Sequence, residues 1–308
     1  MKNKKTAFII FLLLLGLSLS GFIKSALALI LGFLFTLIFG KRYSAFSGKA
    51  ISYLLKVSIV GLGFGMYLEE TIKTGKQGFL LTVLSIVLTI TVGYFLTKLL
   101  KLDKKLGYLI SSGTSICGGS AIAAISAVIK AHPKKISVAL GVVFFLNAVA
   151  LFTFPQIGLF FGLNQQEFGL WAAIAIHDTS SVVGAALDFG QEALEVATTV
   201  KLARTLWIIP LSIFSMFVFK SKTGKIKIPW FILLFILAIL SNSYFSLPLA
   251  MTTTITDISK RLLVATLFLV GTGLSIKDIK ETGAKPFVLG LSLWIFISVF
   301  SLGYILLN

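Results

Sequence analysis

A weak internal repeat of opposite orientation constrains the fold of this chain more than any other sequence feature. Residues 63–79 read GFGMYLEETIKTGKQGF and residues 271–287 read GTGLSIKDIKETGAKPF, and an apolar span follows each copy. Each copy begins at the end of an apolar span. In the first copy acidic residues come after that span, whereas in the second copy lysines do. If the basic loop faces the cytoplasm, the copies cross the membrane in opposite directions. Inverted repeats are typical of secondary transporters, which bind substrate near the bilayer midplane between the halves. The positions shared without a gap are Gly63 and Gly271, Gly65 and Gly273, Thr74 and Thr282, Gly75 and Gly283, and Phe79 and Phe287.

Composition indicates an integral membrane protein. Hydrophobic residues make up 57% of the 308 residues, more than the roughly half found in soluble domains. Apolar runs recur along the whole length, so residues 1–308 are expected to form a single all-α polytopic membrane domain, with repeat copies around 51–100 and 259–308. The ~10-residue alternating segments of a β-barrel do not occur in the sequence. The net charge of +17 lies mostly in short loops, which is the positive-inside pattern and not a nucleic-acid footprint.

The N-terminus and the single cysteine limit processing and redox chemistry. Residues 1–21 have the basic start and apolar core of a signal peptide. A second apolar span follows at once, so we interpret them as an uncleaved first span, with cleavage after Ser20 as the alternative. Cys117 is the only cysteine, which excludes an internal disulfide and a thiolate metal cluster.

Apolar periodicity predicts nine clear spans and two interrupted ones. The interrupted stretches, 107–130 and 168–188, contain polar breaks and are expected to be discontinuous spanning helices or re-entrant hairpins, giving about 9–11 transmembrane helices in an inverted-repeat transporter fold. With ~20 residues per span, the clear spans are expected near 7–22, 25–39, 46–68, 78–100, 135–161, 195–219, 230–247, 258–276 and 286–307.

Loop charges set the expected orientation, with the N-terminus inside and the C-terminus outside a bacterial inner membrane. If both interrupted stretches return to the side they left, every basic cluster falls on the cytoplasmic side. If both cross, only the Lys130–Lys135 cluster is misplaced, so the charges leave re-entry open. The basic clusters are Lys2–Lys5, Lys41–Arg42, Lys101–Lys105, Lys130–Lys135, Lys220–Lys227 and Lys277–Lys285. The neutral or acidic loops are at Glu69–Glu70, Asn164–Glu167 and Asp188–Glu195.

The first interrupted stretch carries the sharpest local signal for a binding site. Broken backbone at membrane depth is tolerated only where it is buried in protein or lines a wet cavity. A half-helix starting near Ser120 would direct free N–H groups and the positive end of its dipole at an anion. Close helix packing through small residues is the alternative. The candidate substrate-binding residues here are Gly113, Thr114, Ser115, Cys117, Gly118, Gly119 and Ser120.

The second interrupted stretch places ionisable residues at membrane depth, where they are costly and usually functional. His177 titrates near physiological pH, and Asp178 could carry a coupling proton or sodium ion. Thr179 and Ser180 add hydroxyls to the substrate site. The alternative is a capped helix start beside a structural histidine.

Further cations are candidates for the anion site. Lys201 and Arg204 are three positions apart (i and i+3), share one helix face, and could clamp an oxyanion; snorkelling to headgroups is the alternative. Lys56 could be a counter-charge for Asp178. Asn147 is expected to make an interhelical hydrogen bond, and the region around Asp257 to begin an interfacial helix.

The motifs resemble one known family. GTSICGGSAIAA, from Gly113, resembles the signature of the bacterial sulfate exporter family, a group of membrane proteins. His177 with Asp178 is similar to that family's VHE-type motif, TTVKLARTLWIIP (198–210) to its VKLTR-type stretch, and LLKVSIVGLGFGM (54–66) to its early glycine-rich span. This family is grouped with the cation–proton antiporter and anion transporter superfamily, whose members have inverted repeats and two broken helices. The resemblance implies a transporter core at 113–120 and 177–181, with Lys201 and Arg204. Asp178 stands where the family often has Glu, and Lys56 where it often has Arg.

A secondary transporter of a small oxyanion, of the sulfate, sulfite or organosulfonate type, is therefore expected. Coupling to H⁺ or Na⁺ is expected, with no other cofactor and no metal. No P-loop, HExxH or GxSxG pattern occurs, so neither an ATP-driven pump nor a hydrolase is indicated. The alternatives are a cation–proton antiporter using Asp178, and a passive channel or membrane scaffold. The expected partners are the anion and the lipid bilayer, without nucleic acid, and a homodimer is left open.

Overall fold

The computed structural model describes residues 4–40, 44–220, 230–245, 247–274 and 283–307, and these residues form helices and short connections without a strand. Several predicted loop residues lie outside the described ranges: Lys2, Lys41–Arg42, 221–227, Lys277, Lys280 and Thr282. The helices are α1 (Lys4–Leu19), α2 (Ser25–Phe39), α3 (Ser44–Gly63), α4 (Leu68–Leu99), α5 (Lys104–Ser115), α6 (Gly119–Val128), α7 (Pro133–Phe160), α8 (Gln165–Ala175), α9 (Thr179–Phe189), α10 (Gln191–Leu206), α11 (Ile208–Val218), α12 (Trp230–Phe245), α13 (Leu249–Gly273) and α14 (Ala284–Leu307).

The prediction of an all-helical polytopic membrane protein is confirmed. Among the described residues, four helical segments are long and apolar enough to cross a membrane, namely α4, α7, α10 together with α11, and α14. Each predicted clear span overlaps an observed helix, and α2 begins and ends at the predicted residues. An apolar span lies in lipid, where no water can pair with its backbone N–H and C=O groups. The span therefore forms a helix, which satisfies these groups internally, and hydrophobicity predicts its position.

Two helices begin about ten residues before their predicted apolar spans. Helix α4 begins at Leu68, and its first turn holds two glutamates that favour the positive end of the helix dipole. Helix α13 begins at Leu249 after Pro248, so Asp257 lies within it and does not begin it. Threonine hydroxyls in its first turns bond back to helix carbonyls, as Thr256 does to Thr252, and this makes the polar segment compatible with a helix.

Residues 104–128 form a re-entrant hairpin, which we call hairpin A. Lys105 Nζ donates to the backbone oxygen of Lys130 at 3.2 Å, so the start of α5 lies beside the end of α6. The two helices also approach further in, where a Cβ on Gly113 would lie 2.8 Å from Ile122 Cδ1. With 12 and 10 residues, each helix is about 15–18 Å long, half the ~30 Å needed to cross.

Asp103 anchors hairpin A at the end of the bundle where it enters. Its carboxylate caps α5 by accepting from the backbone N–H groups of Lys105 and Leu106 at 3.0 Å, and it pairs with Lys135 Nζ at 2.8 Å. Partial burial opposes the charged form, but the hydrogen bonds from Lys135 and the backbone outweigh it and hold the pKa of Asp103 below its usual value.

Residues 165–189 form a second re-entrant hairpin, hairpin B, which enters from the opposite end. Phe168 in α8 stacks on Phe189 at the end of α9, with ring centroids 3.8 Å apart. Gln165 Oε1 accepts from the backbone N–H of Glu192 at 3.0 Å. Helix α7 crosses between the two hairpins, so hairpin A returns to the end marked by Lys105 and Lys130, the lysine end. Hairpin B returns to the end marked by Glu167 and Glu192, the glutamate end.

The copies of the sequence repeat lie on antiparallel helices. Gly61 of α3 faces Ser259 of α13. Gly65, in the turn just after α3, faces Thr256, which is earlier in α13; a Cβ on Gly65 would lie 2.8 Å from Thr256 Oγ1. Opposite directions are what inverted copies require. Both hairpins lie in the chain between the two copies of the repeat. The repeat therefore does not relate one hairpin to the other, and the full two-fold pseudosymmetry stays a prediction.

The helices pack in two groups that meet along a seam. Helix α13 packs against α1, α2 and α3, and α12 packs against α3; a Cβ on Gly32 or Gly271 would collide with the backbone of the facing helix. The hairpins pack against α4, α7, α10, α11 and α14. Across the seam, Asp188 at the end of hairpin B accepts from the backbone N–H groups of Ser25 and Ala26 at the start of α2, at 3.1 and 3.3 Å.

Candidate functional site

The tip of hairpin A is non-helical from Ile116 to Gly118, within the predicted break. Gly118 has φ +59° and ψ −119°, a backbone region that essentially only glycine occupies. A Cβ there would lie 3.2 Å from Val143 Cγ1 and 3.4 Å from the Cα of Asp178. Glycine is therefore required at this position both for the turn and for the close approach of the two hairpin tips.

We expect Gly118→Ala to destabilise the chain by about 1–3 kcal/mol, because alanine is strained at this φ and ψ. Its methyl group would also push the tips apart, so substrate exchange should fall further than stability does. Thermal unfolding and transport of the purified variant would measure both effects. Gly75→Ala is the control, since nothing lies within 4 Å of a Cβ at Gly75; a loss of the same size in both variants would contradict the assignment.

The tip of hairpin B, residues 176–178, is held by hydrogen bonds from two sides. Asp178 is the N-cap of α9, and its Oδ2 accepts from the backbone N–H of Ser180 at 3.1 Å and from the Ser180 hydroxyl. Asn147 of α7 accepts with Oδ1 from the N–H groups of His177 and Asp178, at 3.0 and 3.2 Å. Asp178 therefore caps a helix, as the alternative interpretation predicts, at the same place where the sequence predicts a coupling and substrate site. Thr179 follows, half-buried, as the first residue of α9.

Lys201 and Arg204 contact the C-terminal ends of both entering half-helices. Both side chains are 0% exposed. Lys201 Nζ donates to the carbonyls of Ala173 and Ile176 of hairpin B, at 3.2 and 2.7 Å. Arg204 Nε donates to the carbonyl of Ser115 of hairpin A at 2.8 Å, and Nη1 donates to Ile174 of hairpin B at 2.6 Å. The guanidinium therefore joins the two hairpins.

These contacts bear on the predicted oxyanion clamp. The last carbonyls of a helix lack intrahelical partners and carry partial negative charge, so Lys201 and Arg204 act here as cationic C-caps. Neither side chain reaches lipid headgroups, so snorkelling does not describe them. The carbonyls take most of the donors of both side chains, so an anion clamp stays a prediction that now competes with the capping role.

Several buried polar atoms near the tips have no hydrogen-bond partner among the described residues. They belong to Thr114 of hairpin A, His177 of hairpin B and Asn147 of α7; other groups without a partner lie elsewhere in the bundle, such as Thr89 of α4 and Trp294 of α14. For His177, which is 0% exposed, neither ring nitrogen has a partner among the described residues. Buried polar groups usually find partners, so the unpaired groups beside the tips are of the kind expected to meet a ligand or water.

The remaining predicted site residues lie at varied distances from the tips. Ser115 offers its carbonyl to Arg204, and Cys117 is buried in the tip of hairpin A. Gly119 packs on Phe144, where a Cβ would lie 3.0 Å from Cζ. Ser120 is exposed. Lys56 lies 6.0 Å from the ring centroid of Trp230, a cation–π contact with α12 and not a contact with Asp178.

A cavity of about 200 Å³ lies in the seam beside the tip of hairpin B. Its walls differ in chemistry. Helices α2, α3 and α13 contribute apolar side chains, and α7 adds Phe144 and Ala148. The polar lining residues are Asn147 of α7, Asp178 at the tip of hairpin B, and Ser180 and Ser181 of α9. A second cavity, of about 340 Å³, lies at the glutamate end and has Glu195 and Thr199 among its lining residues.

Sequence reasoning missed the position of Asn147 in the site. It was predicted only to bond between helices, which it does, but it bonds to the backbone of a hairpin tip and lines the cavity. The available signal was an amide in the middle of an apolar span, which is costly unless the amide has a specific partner.

Comparison with known proteins places the chain in a family. The model of the family described as conserved hypothetical protein 698 matches residues 7–290. The chain belongs to this family. It is 49% identical over 289 residues to a UPF0324 membrane protein of Bacteroides thetaiotaomicron, covering 93% of this chain and 87% of the relative. It is also 49% identical over 299 residues to one of Photobacterium profundum, covering 97% and 92%, and 45% identical over 315 residues to one of Vibrio vulnificus, covering 99% of both.

Family membership supports a membrane location and leaves the substrate open. The names of these relatives state that they are membrane proteins, in agreement with the apolar helices described above. No solved structure matches the chain. Any assignment of function to this family member therefore depends on the geometry of the hairpins and the cavity.

Proposed function

We propose that the chain is a secondary transporter of a small oxyanion. The observation that carries the proposal is the meeting of two opposed re-entrant hairpins, whose tips come together at Gly118 and Asp178. Non-helical backbone within a membrane requires either protein burial or an aqueous cavity. In transporters, broken helices bind substrate between two structural halves that move against each other. The cavity beside the tips lies between the two helix groups, where such a movement would open and close it.

The distribution of charge favours an anion as the transported species. Lys201 and Arg204 neutralise the negative C-terminal ends of α5 and α8. At the tips, the Asp178 carboxylate caps the positive N-terminal end of α9, whereas the N-terminal end of α6 has no side-chain cap among the described residues. Together with the buried hydroxyls of Thr114 and Ser181, the N-terminal end of α6 is suited to an oxyanion of the sulfate, sulfite or organosulfonate type.

Asp178 is the proposed carrier of the coupling ion, H⁺ or Na⁺. Its carboxylate lines the cavity, where an ionised form would repel an anion. Neutralising it with a proton or sodium ion would remove this repulsion, so that anion and cation binding favour one another. This linkage would couple anion movement to an ion gradient without an energising domain and without an enzymatic reaction.

The proposed orientation places the lysine end in the cytoplasm of a bacterial cell, following the positive-inside rule. The N-terminus would then be cytoplasmic and the C-terminus extracytoplasmic. Hairpin A would open inward and hairpin B outward. The return of both hairpins supports this arrangement, because it keeps Lys101–Lys105 and Lys130–Lys135 at one end.

Counterflow in proteoliposomes tests the transport function. We expect vesicles loaded with unlabelled sulfate, sulfite or alkanesulfonate to accumulate the labelled anion transiently, because a carrier exchanges internal unlabelled substrate for external labelled substrate. Vesicles with Gly118→Ala protein serve as the matched control. A flux without trans-acceleration would indicate a channel, and no flux of any of these anions would overturn the proposal.

A cation–proton antiporter is the second candidate. It is favoured by one observation: Asp178 is the only charged side chain among the described residues that line the seam cavity. Proton movement driven by a sodium or potassium gradient, without any anion, would support this candidate over the first.

A further inference from the structure

The amide of Asn147 is oriented by its hydrogen bonds. Two backbone N–H groups, those of His177 and Asp178, point at the same side-chain atom at 3.0 and 3.2 Å. Only an acceptor can take two N–H donors, so that atom is the oxygen and the other is Nδ2. Nδ2 has no partner among the described residues, although the side chain is 2% exposed and lines the seam cavity.

An unpaired buried donor is unfavourable unless a ligand pairs with it. Leaving such a group unsatisfied forfeits its hydration without compensation. Asn147 lines the cavity together with Ser180 and Ser181. An amide N–H forms its stronger hydrogen bonds with charged acceptors, so the unpaired donor favours a negatively charged ligand atom.

The apolar part of the cavity lining selects the rest of the ligand. Leu55, Phe144 and Val270 are among the apolar side chains that line the cavity, and no Lys or Arg of the described residues lines it. A dianion such as sulfate is strongly hydrated and would lose that hydration against apolar carbon. A small organic anion gains from burying its carbon atoms there. The volume of about 200 Å³ is below the ~300–1,000 Å³ of sites for drug-sized ligands, so only a few carbons fit.

We propose that the seam cavity binds a small organic anion, with Asn147 Nδ2 donating a hydrogen bond to its oxyanion and the apolar wall holding its carbon body. This inference depends on the proposed transport function and narrows its substrate class. Asn147 has two tasks in this scheme: its oxygen positions the tip of hairpin B, and its nitrogen binds the ligand.

The variant Asn147→Asp separates these tasks. Aspartate is nearly isosteric and keeps an oxygen to accept from His177 and Asp178, but it replaces the donor with a second oxygen. Binding of 1-propanesulfonate, methanesulfonate and sulfate to the purified full-length chain would be measured calorimetrically at equal ionic strength. For wild type we expect the affinity to rise from sulfate to methanesulfonate to 1-propanesulfonate. For Asn147→Asp we expect 1-propanesulfonate to bind at least about 10-fold more weakly, as for loss of a hydrogen bond to a charged group.

A second variant guards against a misfolded protein. Asn147→Leu has a similar volume but lacks both atoms, so without ligand it should unfold at a lower temperature than either wild type or Asn147→Asp. Equal 1-propanesulfonate affinity in wild type and Asn147→Asp would overturn the role of Nδ2. Tighter binding of sulfate than of 1-propanesulfonate would overturn the organic substrate class while leaving the oxyanion function intact. Counterflow of either anion tests that function separately.

Discussion

An Arg204→Ala chain is expected to be destabilised by about 3–5 kcal/mol, the largest effect of any substitution considered for this protein. The guanidinium is fully buried and donates to the carbonyl of Ser115 in hairpin A and of Ile174 in hairpin B. Its removal leaves carbonyls at two helix ends without partners, and each such buried group costs about 1–3 kcal/mol. Both hairpin tips should loosen together. Thermal or denaturant unfolding of purified protein would measure the change.

Arg204→Lys distinguishes the capping role from the oxyanion clamp. A lysine ammonium lacks the planar fork and cannot serve both hairpins as the guanidinium does, so as a cap it should lose about 1–3 kcal/mol without any anion present. As a clamp, Arg204→Lys should instead keep its stability and lose only the anion-dependent rise in unfolding temperature. Lys260→Ala, at a partly exposed cation on α13, is the control and should change stability by less than about 0.5 kcal/mol.

Asp178→Asn should abolish coupled transport while leaving the fold intact. Asparagine is as good an N-cap as aspartate, so the bond from the Ser180 N–H to the side-chain oxygen is kept, and stability should change by less than about 0.5 kcal/mol. The amide, however, can neither bind a proton nor neutralise a sodium ion. Anion flux into proteoliposomes should therefore stop responding to a proton or sodium gradient.

Asp178→Ala provides the comparison for that experiment. It removes the cap as well as the charge and should lower stability by about 1 kcal/mol. If Asp178 were only a helix cap, Asp178→Asn would transport as wild type does, and only Asp178→Ala would be impaired. That pattern would contradict the assignment of Asp178 as the ion carrier.

Local sequence determined where this chain is helical and where its helices break. The apolar spans of α7 and α14 are readable because a crossing helix must bury about twenty residues in lipid. The sequence predicts breaks near 113–119 and 177–181, because glycines and polar residues at membrane depth weaken a helix there, and the structure has them at 116–118 and 176–178. These signals act over one or two turns of a helix, so they can be read from the sequence without knowing which other helices pack nearby.

Tertiary structure alone decided that the breaks are the tips of re-entrant hairpins and which side chains form hydrogen bonds with them. Re-entry is shown by contacts between residues far apart in the sequence, such as Lys105 with Lys130 and Phe168 with Phe189. The loop charges alone left re-entry and crossing equally open. A shared helix face suggested an anion clamp for Lys201 and Arg204, but their partners are carbonyls of other helices. The same is true of Asn147, whose free nitrogen follows from two N–H groups some thirty residues away. A side chain's type limits the bonds it can make, and only packing decides which partner comes within reach.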